Sequence, residues 1–198
     1  MKTSTRLLST TVRAFLLLTV LLGVIYPLVI FGVGRIMPAK ADGSYIKDSS
    51  GQVVGSSLIA QAVTEPGYFV PRPSAAGDDG YDAMSSSASN LSPFDPEYQA
   101  LVEQRRAEIA QRENVSPDKV PVDAVTASGS GLDPQISRAY AELQIPRVAR
   151  ESGLDRATVE QLVNDNEQSA FNGSTHGTPV NVVTLNVDIA NAKAGAQN

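Results

Sequence analysis

Apolar and polar positions alternate irregularly along most of this chain, with one exception near the start. From Ala14 to Gly34, 21 consecutive residues carry no charge, and Arg13 and Arg35 bound the run. As an α-helix this run is about 32 Å long, close to the thickness of a bilayer hydrocarbon core. No later segment is comparable. The pattern predicts a single transmembrane helix over residues 14–34, with Gly23 and Pro27 as the positions for close packing inside the span.

Beyond the span the pattern breaks up. Residues 41–92 are rich in Gly, Ser, Pro and Ala, with Val53-Val54 and Leu58-Ile59 as candidate short strands. Residues 75–92 have loop composition. Helical periodicity begins at Asp95, an N-cap candidate followed by Pro96 and Glu97. Tyr98, Leu101, Val102 and Ile109 share one face to about Gln111. Asp133-Pro134 repeats the cap-then-proline signal and predicts a second helix with Ile136, Ala139, Tyr140 and Leu143 as its apolar stripe. Pro146 is expected to kink or end it, and Gly153 to close the segment. A third helix is predicted from Asp155, with Leu154 and Val159 at staple spacing. Residues 120–125 and 180–183 read as extended, and residues 186–193 as a short final helix. The expected fold is one transmembrane helix plus one mixed α/β soluble domain, residues 42–198, helix-rich in its second half.

Charge sharpens this division. The chain has 16 basic and 21 acidic residues. Five of the bases and none of the acids lie in residues 1–41, so residues 42–198 carry a net charge near −10. Such a domain repels nucleic acid and anionic lipid headgroups, which makes both poor partners. The N-terminal flank holds Lys2, Arg6 and Arg13 without an acid, whereas the far flank mixes Arg35, Lys40 and Lys47 with Asp42 and Asp48. That bias predicts a cytoplasmic N-terminus, residues 1–13, and a soluble domain outside the cytoplasmic membrane. A cleaved signal peptide is the competing reading, because Ala39-Lys40-Ala41 resembles a small-x-small cleavage site. Its apolar region is typically about 7–15 residues, and the longer run favours a retained anchor.

Chemistry-bearing patterns are sparse. The chain has no cysteine, which excludes disulfides, thiolate metal sites and a Cys nucleophile. It has neither a phosphate-cradling G-x-x-x-x-G-K-[ST] nor a G-x-G-x-x-G. His176 is the only histidine, so a histidine metal cluster is excluded; no metal site and no catalytic residue are expected. A serine hydrolase would need Ser128 or Ser130 with His176, but Ser128-Gly129-Ser130-Gly131 lacks the first glycine of G-x-S-x-G. Ser116-Pro117-Asp118-Lys119 matches S-x-x-K without a K-T-G partner. The stretch from Val120 to Pro134 reads as a strand, a glycine-rich turn and a capped helix. Gly129 and Gly131 would permit the turn and Asp133 would be the cap. An anion at that helix N-terminus is the functional alternative.

Several short runs, taken in order, carry a resemblance. They are Tyr26-Pro27-Leu28 in the span, Gly55-Ser56-Ser57-Leu58-Ile59, Tyr68-Phe69 with Arg72-Pro73-Ser74-Ala75, and Ser89-Asn90-Leu91. Then come Val122 to Pro134 with Ile136-Ser137, Gln144 with Arg147-Val148-Ala149, and Val180-Asn181-Val182 with Leu185-Asn186. With these runs the chain resembles the C subunit of the bacterial Kdp-type potassium-transporting ATPase over nearly its whole length. Departures are Ala60 and Ser92 where that family usually has glycine, Ser86-Ser87-Ala88 in place of a more glycine-rich stretch, and Pro146 between Gln144 and Arg147.

The resemblance implies an inner-membrane, non-catalytic subunit of a high-affinity potassium uptake complex. Its partners would be a channel-like potassium-binding subunit and a P-type, ATP-hydrolysing subunit. It also implies roles in assembly and as a catalytic chaperone that raises the ATP affinity of the hydrolysing subunit. No cofactor is expected to be held firmly; ATP enters only through the complex. Gln144 matches the glutamine proposed to touch nucleotide, and Arg147 and Arg150 would add donors were the domain cytoplasmic. The charge bias places the domain on the side without ATP, which favours docking over the external face of the potassium-binding subunit. The rival reading is a membrane-anchored periplasmic binding or serine-hydrolase domain acting alone.

Overall fold

The computed structural model describes residues 2–168 and 178–196. The chain separates into two compact units, residues 1–44 and 45–198.

The first unit is dominated by helix. α1 (Lys2–Val20) passes through a π-helical turn (Leu21–Ile25) into α2 (Tyr26–Ile36), and a single turn, α3 (Pro38–Ala41), follows. Helix therefore begins well before Ala14. The π turn has a local cause. Pro27 has no N–H for the carbonyl four residues back, and its ring crowds that carbonyl. The ladder slips by one residue, and the Tyr26 N–H reaches Leu21 O. The resulting helix, Thr3–Ile36, is long and apolar enough to cross a membrane. Its large side chains, among them Leu17, Leu22, Leu28 and Phe31, are exposed. Gly23 has open space where a Cβ would stand.

The second unit is built on helices, with two small two-stranded sheets. β1 (Tyr45–Lys47) and β2 (Val53–Ser56) form an antiparallel hairpin with a bulge between Ile46 and Lys47. Leu58-Ile59, expected as a strand, lies in turn and irregular backbone. α4 (Pro96–Glu113) is capped by Asp95, whose side chain accepts the Glu97 N–H, and ends on Asn114 in the left-handed region. A 3₁₀ turn (Pro117–Lys119) leads to α5 (Val122–Val125). The extended reading of residues 120–125 holds for the backbone of Val120 and Pro121 and is corrected for Val122–Val125. β-branched residues suggested a strand, but no strand among the described residues pairs with it, and burying Ala124 and Val125 against the core sets a helical turn instead.

The second helix also starts later than its signal. Gln135–Ile136 form β3, paired antiparallel with β4 (Val180–Asn181), and α6 runs from Arg138 to Ser152. Its N-cap is Ser137, whose Oγ accepts the Tyr140 N–H. Pro146 neither ends nor breaks α6. Both Pro146 and Glu142, whose carbonyl loses its partner, are exposed, so water can satisfy the freed acceptor. Tyr140, Ala141, Gln144, Ile145 and Val148 form the buried face, and Gly153 closes the helix with φ +74°. α7 (Arg156–Asp165) is capped by Asp155. α8 (Val182–Ala196) starts directly after β4, earlier than expected, and buries Val182, Val183, Leu185 and Ile189. α6 packs against α4 and α7, α7 packs against α8, and Phe69 enters the same core from the 61–71 segment.

Candidate functional site

Gln144 lies on the buried face of α6, with no solvent exposure. Its amide is engaged on both ends. Oε1 accepts from the Val70 N–H at 2.8 Å and from Arg147 Nη2 at 2.8 Å, and Nε2 donates to Val70 O at 3.1 Å. Arg147, one turn on, is 4% exposed. It donates through Nε to Glu113 at 3.0 and 3.1 Å, and through Nη1 to the carbonyls of Pro66 and Tyr68. The pair that the resemblance relates to nucleotide is thus shut inside the domain, holding the 66–70 segment. A nucleotide contact at either residue would require that segment to move. Arg150 is exposed and pairs with Glu151.

Glu113 anchors a wider network that the sequence reading missed. Its side chain is fully buried at the C-terminal end of α4, between Arg147 at 3.0 Å and Arg112 at 2.7 Å. Arg112 Nη2 donates to the Tyr140 hydroxyl at 3.0 Å. Burial raises the pKa of Tyr140, so its hydroxyl stays neutral and available as acceptor. The Glu113 carboxylate accepts from both guanidinium groups, the enclosed one of Arg147 and the partly exposed one of Arg112. The periodicity of α4 carried no sign of this, because an acid at a helix end normally reads as solvated.

The glycine turn forms a second cluster. Gly131 has φ +68°, a conformation that needs glycine. A Cβ there would sit 2.6 Å from Ser87 O and 2.8 Å from Ala76 N. Gly129 is corrected: its φ is not positive, and a Cβ would meet open space. Asp133 is not a helix cap. Its Oδ1 accepts the Gln135 N–H two residues on, and its Oδ2 accepts from Arg72 at 3.2 Å. The reason is the pairing of β3 with β4, which keeps residues 135–136 extended and delays α6. Asp123 takes over the positioning, accepting from the N–H and Oγ of Ser137 at 2.7 and 2.8 Å.

The turn also holds the long loop. The Ser74 hydroxyl donates to Gly131 O at 2.6 Å and accepts from the N–H groups of Ala76 and Tyr81. The Tyr81 hydroxyl, with a pKa pushed by burial to about 12, donates to Arg72 O. The Ser87 N–H and Ser86 Oγ both reach Ser130 O. Arg72 and Ser74 had entered only through the resemblance. Ser130 Oγ accepts the Leu132 N–H. His176 lies outside the described residues, so the serine–histidine pairing has no geometry here.

A cleft of about 490 Å³ opens between the 61–65 stretch, Tyr68 and Pro71 on one side and Val183, Asn186 and Val187 of α8 on the other. Among the described residues, no three His, Cys, Asp or Glu gather in a way that would hold a metal ion.

Comparison with known proteins gives a consistent result. A family model, "KdpC: K+-transporting ATPase, c chain", matches residues 8–191. A Beijerinckia indica protein is 47% identical over 175 residues, 88% of each chain. A Caulobacter protein is 47% identical over 172 residues, 86% of each chain. A Mycobacterium tuberculosis protein is 43% identical over 173 residues, 87% of this chain and 91% of its own. Each is named potassium-transporting ATPase KdpC subunit. By the extent of the family match and by the identity to these relatives, the chain belongs to the family of potassium-transporting ATPase c chains.

Proposed function

We propose that this chain is a non-catalytic accessory subunit of a high-affinity, ATP-driven potassium uptake complex. It is needed for assembly and acts as a catalytic chaperone that promotes ATP binding by the ATP-hydrolysing subunit. The family match over residues 8–191 carries this reading. The geometry supports the non-catalytic part: Gln144, Arg147, Glu113 and Asp133 are spent on holding the domain together. The partners are the channel-like potassium-binding subunit, the hydrolysing subunit, and membrane lipid around the span. Co-purification tests the assembly role. A tag on this chain should recover both large membrane subunits. Recovery of the chain alone, with a hydrolase activity abolished by Ser130→Ala, would establish the rival reading instead.

The topology follows from the basic cluster at Lys2, Arg6 and Arg13 and the uncharged run 14–34. The N-terminus is cytoplasmic, the helix is a retained anchor in the inner membrane, and residues 42–198 lie outside. ATP is then on the opposite side, and the subunit's influence on ATP binding passes through protein contacts. A reporter that works only after export, fused after Asn198, should be active. The chain should resist extraction with alkaline carbonate. A soluble product beginning at Asp42 would contradict the anchor.

A further inference from the structure

Phe69 and Val70 belong to no strand, yet all four of their backbone polar groups are paired. The pairing is made by two side-chain amides. Asn186 of α8 accepts the Phe69 N–H at 2.8 Å and donates to Phe69 O at 2.9 Å. Gln144 of α6 accepts the Val70 N–H at 2.8 Å and donates to Val70 O at 3.1 Å. Each carboxamide does what a peptide unit of a neighbouring strand would do. Arg147 adds the carbonyls of Pro66 and Tyr68. The segment is stitched to two helices far apart in sequence, and Tyr68 and Pro71 become one wall of the cleft whose other wall is α8.

We infer that Gln144 and Asn186 are positioning residues, a pair of amide clamps that act on the pump by holding Phe69 and Val70 against α6 and α8, without touching nucleotide. This rests on the reading of the chain as a subunit that promotes ATP binding. Three observations carry it. Gln144 is fully buried, and both ends of its amide are engaged. The adjacent cation, Arg147, is already matched by Glu113 and by two carbonyls, so no unmatched positive charge awaits a phosphate. Asn186 makes the same two-bond clamp on the next residue from a different helix, which points to the segment as the common object.

The test uses the assembled pump with full-length variants of this chain. Backbone hydrogen exchange is followed in peptides covering residues 66–71, with α7 as internal reference, alongside the ATP dependence of potassium-stimulated hydrolysis. Gln144→Ala and Asn186→Ala each remove two hydrogen bonds to the segment, and Gln144→Ala also one from Arg147; exchange at Phe69 and Val70 should rise roughly tenfold or more while α7 is unchanged. Both variants should raise KM for ATP with kcat nearly held. Gln144→Glu keeps the acceptor for the Val70 N–H and for Arg147 but sets a carboxylate oxygen against Val70 O, so it should loosen residues 69–70 and raise KM together, as Gln144→Ala does. A nucleotide contact instead raises KM in the Gln144 variants while residues 69–70 keep native protection, and leaves Asn186→Ala near the native KM. The inference is overturned if Gln144→Ala raises KM while residues 69–70 keep native protection. It is also overturned if Asn186→Ala leaves KM unchanged while the segment loosens. Should α7 also loosen in Gln144→Ala, the comparison of Gln144→Glu with Asn186→Ala decides by the same criteria. Loss of the whole chain without effect on KM would instead sink the functional reading on which this rests.

Discussion

Glu113→Ala is expected to be the most damaging single substitution in the soluble domain. Glu113 is fully buried and neutralises Arg147, which is itself almost wholly enclosed, while Arg112 binds its other side. Removing the carboxylate leaves a buried guanidinium without its counter-charge, a change that typically costs about 3–5 kcal/mol. For a domain of this size that corresponds to a fall in melting temperature of roughly 10 °C. The loss should spread, because Arg147 also holds the carbonyls of Pro66 and Tyr68 and Arg112 the Tyr140 hydroxyl. Thermal unfolding of the full chain in detergent measures it. Glu151→Ala breaks an exposed pair with Arg150 and should shift stability by no more than about 0.5 kcal/mol. Equal effects for the two would mean that the buried network contributes no more than a surface pair.

Gly131→Ala should cost about 2–4 kcal/mol, from a left-handed backbone penalty of about 1–2 kcal/mol plus displacement of neighbouring backbone. The contacts leave little choice, because Ser87 O and Ala76 N are main-chain atoms that cannot swing aside. The change should also free the loop from Ser74 to Ser87, since Ser74 bonds Gly131 O and Ser86 and Ser87 bond Ser130 O. Limited proteolysis within residues 76–92 should accelerate, and less intact pump complex should be recovered from membranes. Gly129→Ala, two residues away with open space around it, should be within about 0.5 kcal/mol of the native chain. If both alanines behave alike, the turn is not the constrained element described here.

How much of this was legible in the sequence depended on how local the cause was. Asp95, Asp155 and Gly153 act on backbone groups within their own turn, and their roles could be read directly from spacing. Asp133 carries the same local signal, an acid before proline, yet its side chain closes a turn into a strand. What decides between the two is pairing with Val180 and Asn181, more than forty residues later. Residues 122–125 misled for the related reason that β-branched side chains favour a strand only where a partner exists. Pro146 does not end α6, because the carbonyl it frees faces water, which is a property of the fold.

The candidate site shows the same boundary. Gln144 and Arg147 were singled out through the resemblance, but their burial and their partners at Val70, Pro66 and Tyr68 are tertiary facts. Glu113, Asp123 and Asn186 gave no signal of their own. A polar side chain at a helix end or in a turn looks solvated until the packing around it is known.

The most direct test of the account is the ATP dependence of potassium-stimulated hydrolysis by the purified pump, with and without this chain, together with an assay of the chain alone. The account predicts that the chain alone hydrolyses no ATP, and that its omission lowers recovery of the complex and raises KM for ATP in what remains. Hydrolysis by the isolated chain, or a complex that assembles fully and saturates with ATP unchanged in its absence, would contradict it.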